Sequence, residues 1–189
     1  IPLEVDLDGD GTSTTLMALF DTGGSSLLID PDSVVLAGGE AIAERKQITI
    51  RGATAGPLTF SKLRPHTRHL DHLARLIGTE IDIFLPFRTF RKYLLTLDFP
   101  REDLRISEGR LPQPDGAEVF NAKGPDRRPY LDTYIAGAPR RLLIDSGSSG
   151  SIALKPGDDL EWASEPLPLS ASQGMNKVIY SDVARLEAT

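Results

Sequence analysis

Two short segments of this 189-residue chain repeat one another. The first runs Ala18-Leu19-Phe20-Asp21-Thr22-Gly23-Gly24-Ser25-Ser26-Leu27-Leu28. The second runs Leu142-Leu143-Ile144-Asp145-Ser146-Gly147-Ser148-Ser149-Gly150-Ser151-Ile152. In each, an apolar triplet enters Asp-(Thr/Ser)-Gly, small polar residues follow, and apolar residues resume. One Asp-x-Gly is a common turn and says little. Two copies, 124 positions apart, indicate an internal repeat of roughly domain size.

Each copy is preceded by a hairpin pattern. Leu3, Val5 and Leu7 alternate with Glu4 and Asp6, Asp8-Gly9-Asp10-Gly11 marks a turn, and Thr14–Phe20 reads as an apolar strand. Later, Tyr130–Ile135 reads as a strand, Ala136-Gly137-Ala138-Pro139 as a turn, and Arg141–Ile144 as the return strand. Further strands are expected at Leu27–Ile29, Gln47–Ile50, Leu58–Phe60, Ile81–Leu85 and Leu94–Phe99. Leu70, Leu73, Ala74 and Ile77 have helical spacing, and a second short helix is expected at Phe87–Tyr93. Ser107–Pro129 is rich in Gly, Pro, Asp and Arg and reads as a linker. The expected fold is mainly β with one or two short helices. Aromatics are only 6%, so the core must be mostly Leu, Ile, Val and Ala.

Composition narrows the functions. A net charge of −6 argues against a nucleic-acid binder, which needs a basic face. The absence of cysteine excludes disulfides, thiol catalysis and zinc–cysteine sites. No apolar run reaches the roughly 18 residues of a helical membrane span.

The repeated loop suggests a chemistry. Two carboxylates at contact distance cannot both ionise, so the pair holds one proton over a useful pH range. The ionised member takes a proton from water as that water attacks a carbonyl, and the protonated member donates to the carbonyl oxygen. No cofactor or metal is required. The hydroxyls of Thr22 and Ser146 suit hydrogen bonds across to the other loop, and Gly23 and Gly147 let the backbone fold close to the carboxylates.

These motifs resemble the bacterial retropepsin-like aspartyl protease family of the retropepsin/pepsin clan. In that family a later segment reads apolar-Asp-Gly-apolar-apolar-Gly, then a short helix, then a strand ending in Asp-Tyr/Phe-Pro. Here Ile81-Asp82-Ile83-Phe84-Leu85-Pro86-Phe87 is followed by Phe90-Arg91-Lys92-Tyr93 and Leu95-Thr96-Leu97-Asp98-Phe99-Pro100. Leu70–Gly78 resembles the helix that precedes it. The resemblance covers residues 1–106, restarts near Pro129 and is clear to about Pro156. It implies an acid-protease barrel lobe repeated twice: lobe 1 over 1–106, a linker over 107–127, and the N-terminal part of lobe 2 over 128–189. It further implies an aspartic endopeptidase with Asp21 and Asp145 as catalytic residues, supported by Thr22, Gly23, Ser146, Gly147 and Ser148. The partner is a peptide or protein substrate. A homodimer pairing Asp21 with its copy is the variant. The chain departs from the family pattern at Ile83 and Pro86, where glycines are usual, and at Gly24, which is often Ser or Ala. Pro86 favours the alternative of a catalytically silent module of the same fold that binds peptides or proteins.

Relatives cover bound peptide with hairpin flaps. The expected lobe 1 flap is Gln47–Phe60, its tip at Gly52 to Gly56, with Arg51, Gly52, Ala53 and Thr54 meeting substrate. In lobe 2 the flap is Ser170–Tyr180, its tip Gln173-Gly174-Met175-Asn176, with Gly174 and Met175 meeting substrate. Asp6-x-Asp8-x-Asp10-Gly11 matches the start of a calcium loop, but Met17 stands where a bidentate Glu is needed, so a hairpin turn is expected. His66, His69 and His72 read as a solvated face rather than a metal site. The start at Ile1 suggests processing, which with the resemblance points to an extracytoplasmic location, periplasmic or secreted. Lobe 2 has no counterpart of Ile81–Pro100, so the natural protein is expected to continue beyond Thr189.

Overall fold

A computed structural model of the chain describes residues 1–122, 124, 128–148, 152–154, 164–165, 167–173 and 178–183. The architecture is mainly β. Strands β1 (Pro2–Asp6) and β2 (Thr14–Asp21) form the first hairpin, with Leu3 opposite Leu16. Leu3 and Val5 are buried while Pro2 and Glu4 are not, the alternation expected of a sheet with one covered face. The acidic run between the strands closes the turn. The Asp6 carboxylate accepts from Gly9 N–H at 2.6 Å and Gly11 N–H at 3.0 Å, and Asp10 accepts from Thr12 N–H at 2.8 Å.

Next come β3 (Leu28–Ile29) and helix α1 (Pro31–Leu36). Asp30 caps α1 by accepting from Asp32 N–H at 3.0 Å, and Pro31 occupies the first turn, where its missing N–H costs nothing. Then follow β4 (Gly52–Ala55), β5 (Leu58–Phe60), β6 (His66–Thr67), helix α2 (Asp71–Ile77) and β7 (Ile83–Pro86). Gly78 ends α2 in the left-handed region, φ 79°. The seven strands form one sheet in the order β5-β4-β1-β2-β7-β3-β6. β7 lies between β2 and β3, parallel to the first and antiparallel to the second. All four of its residues are buried, which explains a continuous apolar run with no alternation.

The main core gathers Leu3, Leu16, Ile29, Ile50, Ile83 and their neighbours. A smaller cluster of Leu28, Leu70, Leu73, Ile81 and Phe84 lies beneath α2 and β7. A 3-10 turn, Phe87–Phe90, leads to the hairpin of β8 (Leu94–Asp98) and β9 (Asp103–Ser107), whose Leu95 and Ile106 pack on the main core. Described residues between β9 and Arg128 form no strand or helix. Two further hairpins follow: β10 (Tyr130–Ile135) with β11 (Ala138–Leu143), and β12 (Leu167–Gln173) with β13 (Val178–Val183).

Three local expectations are corrected. Gln47–Ile50 makes isolated bridges, Gln47 to His66 and Ile50 to Leu63, instead of a strand. Phe87–Tyr93 yields one 3-10 turn rather than a helix, because β8 begins at Leu94. The flap tip assigned to Gly52–Gly56 is a strand: β4 pairs with β1 on one side and β5 on the other, Ala53 is 3% exposed, and the chain turns at Gly56-Pro57.

Candidate active site

Strand β2 delivers Asp21 at its last position, opposite Pro86 at the end of β7. Pro86 has φ −75° and ψ 159°, ordinary values for proline in extended backbone, so it fits this site without strain. Gly24 is explained by its neighbour. A Cβ there would lie closer than 3.0 Å to the Phe84 ring, so a bulky residue on β7 and a glycine on the loop occupy the room together.

Hairpin β10–β11 delivers the second loop against the first. Thr22, 3% exposed, donates its hydroxyl to Ile144 C=O at 2.7 Å and accepts from Ser146 N–H at 2.8 Å. Ser146 Oγ in turn accepts from Thr22 N–H at 3.0 Å. Each loop thus uses a side-chain hydroxyl to satisfy the other's backbone. The glycines interlock as well. A Cβ on Gly147 would stand 2.9 Å from the Asp21 carboxyl carbon and 3.0 Å from both its oxygens, and one on Gly23 would collide with the Asp145 carboxyl. Arg128 donates to Gly23 C=O at 3.1 Å, with its guanidinium 5.5 Å from the Tyr130 ring centre.

The two carboxyl groups are set against each other across the loops, each close beside the other loop's glycine. Asp21 also accepts from Gly23 N–H at 2.7 Å, and Asp145 from Gly147 N–H at 2.9 Å. The Asp21 pKa is raised to about 6. Burial is the main cause, followed by the facing Asp145 carboxyl and its charge. The Gly23 and Gly147 amides pull it partly back by stabilising the anion. A pair of this kind holds a proton between two oxygens in mildly acidic water.

The structure therefore brings together Asp21, Thr22, Gly23, Asp145, Ser146 and Gly147. Ser148 is exposed, and its N–H meets Asp145 C=O at 3.3 Å. Arg51, Gly52, Ala53 and Thr54 lie elsewhere, which corrects their assignment to a substrate-covering tip. Gly52 pairs with Asp6, at the hairpin end of the sheet, while Asp21 is at the opposite end of β2. At roughly 3.4 Å per residue, that separation exceeds about 20 Å. Gly174 and Met175 fall outside the described residues; β12 and β13 on either side form the expected hairpin.

Two supporting carboxylates had no functional reading in the sequence. Asp82 accepts from Met17 N–H and from Ser33 Oγ, both at 2.6 Å, tying β2, α1 and β7 together behind the loop. Asp30, 6% exposed, accepts from Leu70 N–H at 2.7 Å besides capping α1. The Asp30-Pro31 pair is a helix-start signal that could have revealed α1. Among the described residues, Asp30, Asp32 and His69 bring ligand atoms within 4.8 Å of one another. Both Asp30 oxygens are already engaged by backbone amides, so the cluster serves as a cap. Among the described residues, no helix is long and apolar enough to cross a membrane. No family model, curated protein or solved structure matches the chain.

Proposed function

We propose that the protein is an aspartic endopeptidase whose dyad, Asp21 and Asp145, comes from one chain. The observation that carries this reading is the crossed hydrogen bonding of Thr22 and Ser146, which sets the Asp21 and Asp145 carboxyls against the opposing loops' glycines. Two acids held this way with one proton activate water without metal or covalent intermediate. Asp21, which keeps its proton up to about pH 6, donates to the scissile carbonyl oxygen as water attacks, and Asp145 accepts the water's proton. Collapse of the tetrahedral diol then returns a proton to the leaving nitrogen and restores the pair.

The lobe organisation implied by the family resemblance belongs to the same proposal. Its supports are the paired hairpins β1–β2 and β10–β11, each ending in an Asp loop, and the insertion of β7 beside the first loop. An assembled pair within one chain favours the tandem arrangement over pairing of Asp21 with a second copy.

The test is digestion of an unfolded protein between pH 3 and 7, with and without a statine-type inhibitor. Asp21→Asn and Asp145→Asn should each reduce cleavage at least about a hundredfold. Specific activity should not change with enzyme concentration. Absence of inhibitor-sensitive cleavage would leave a silent binding module, and loss with Asp21→Asn alone would restore the dimeric arrangement.

A further inference from the structure

The first Asp loop has little stiffness of its own at its centre. Gly23 is required by the Asp145 carboxyl and Gly24 by the Phe84 ring, so neither position admits a residue with a narrower backbone range. Yet the Gly23 N–H holds the Asp21 carboxylate at 2.7 Å, and a rotation of that glycine would carry the donor away. Arg128 reaches this pair from outside the loop. It donates to Gly23 C=O, the oxygen of the peptide that joins the two glycines, at 3.1 Å. The next residue, the buried Pro129, accepts through its C=O from Ile144 N–H at 2.8 Å. Ile144 C=O accepts in turn from the Thr22 hydroxyl at 2.7 Å, and Thr22 adjoins Gly23. These bonds close a ring that ties the two Asp loops together, and Arg128 is its one charged member. The guanidinium lies 5.5 Å from the Tyr130 ring centre, and a Cβ on Gly124 would collide with that ring. The arginine thus rests on an aromatic platform that is itself packed from behind.

We propose that Arg128 is a positioning residue for the dyad: it fixes the Gly23–Gly24 peptide, and through it the Asp21 carboxyl, for the attack of water. The proposal rests on the peptidase reading. A charged donor holds a carbonyl more firmly than a neutral one. Small displacements of a reacting group cost about one to two orders of magnitude in rate, so loss of this bond should appear in kcat rather than in KM.

The experiment compares Arg128→Met and Arg128→Lys with the native protein on one fluorogenic peptide that the native protein cleaves, each well below its unfolding temperature. Methionine keeps most of the length and loses the donor, whereas lysine keeps a charged donor. The expected result is a fall in kcat of about ten- to a hundredfold for Arg128→Met, with KM within about twofold, and recovery of at least about a third of native kcat in Arg128→Lys. An unchanged kcat in Arg128→Met, a change in KM alone, or no recovery with lysine overturns the proposal and leaves the peptidase reading standing. If Arg128→Met does not fold, Tyr130→Leu takes its place by removing the ring beneath the guanidinium. A fall of about threefold in kcat alone then supports the proposal, and native kcat overturns it. If the native protein cleaves nothing, amide exchange decides. Faster exchange at Gly23 in Arg128→Met, with β1 and β2 still protected and lysine restoring the native rate, supports the positioning role while the peptidase reading falls. Unchanged exchange at Gly23 overturns the positioning role as well.

Discussion

Replacing Thr22 by Val tests whether the crossed hydroxyls hold the dyad. Valine keeps the shape and removes one oxygen. That oxygen donates to Ile144 C=O at 2.7 Å and accepts from Ser146 N–H at 2.8 Å. Both partners belong to the second loop, and Thr22 is 3% exposed, so water does not replace the lost oxygen without rearrangement. Both bonds are only partly buried, so each contributes about 0.5–1.5 kcal/mol, which puts Thr22→Val at about 1–3 kcal/mol. Thr22→Ser keeps the oxygen and loses one methyl, at about 1 kcal/mol. Urea titration should separate the two variants by that difference. Carboxyl NMR supplies the second reading. If the loops part, Asp21 loses both its shielding and its Asp145 partner, and its pKa falls from about 6 toward the ordinary 3.8. A Val variant within about 0.5 kcal/mol of the native protein, with Asp21 still titrating near 6, would refute the account.

Three further outcomes are expected. Cleavage should fall as pH rises through about 6, where Asp21 gives up its proton, and the folded protein should gain stability as pH falls from about 6 to about 4, because its folded pKa lies above the unfolded value; urea midpoints across that window should flatten in Asp21→Asn. Gly24→Ala should cost about 1–3 kcal/mol by driving a methyl into the Phe84 ring, and adding Phe84→Leu should recover part of that loss in a double-mutant cycle, whereas additive costs would place the strain elsewhere. Ala136 has φ 50° and Gly137 φ 74° in the β10–β11 turn, a pair of left-handed residues that favours Asn-Gly; Ala136→Asn should stabilise that hairpin by about 0.5 kcal/mol, read by amide exchange in β10 and β11.

Elements with a local signature were legible in the sequence. The turn acids Asp6 and Asp10, the spacing Leu70-Leu73-Ala74-Ile77 and the hairpin strands all express preferences settled within a few residues. What escaped depends on distant partners. Gly52-Ala53-Thr54-Ala55 has little strand character of its own and looked like a lid tip; it is a strand because β1 and β5 satisfy its backbone on both sides. The insertion of β7 between β2 and β3, strands close in sequence, joins residues more than 50 positions apart, and no short window encodes it. The candidate site shows the same division. The crossing hydroxyls could be anticipated from Thr22 and Ser146 once two loops were set against each other. Close approach of backbone to carboxylate was the expected reason for Gly23 and Gly147, and neither has positive φ. Each is required by the carboxylate of the opposite loop, which would collide with any side chain there. Asp21 explains Gly147 and Asp145 explains Gly23, so one loop alone gives no reason for its own glycine, and the motif is intelligible only as a pair.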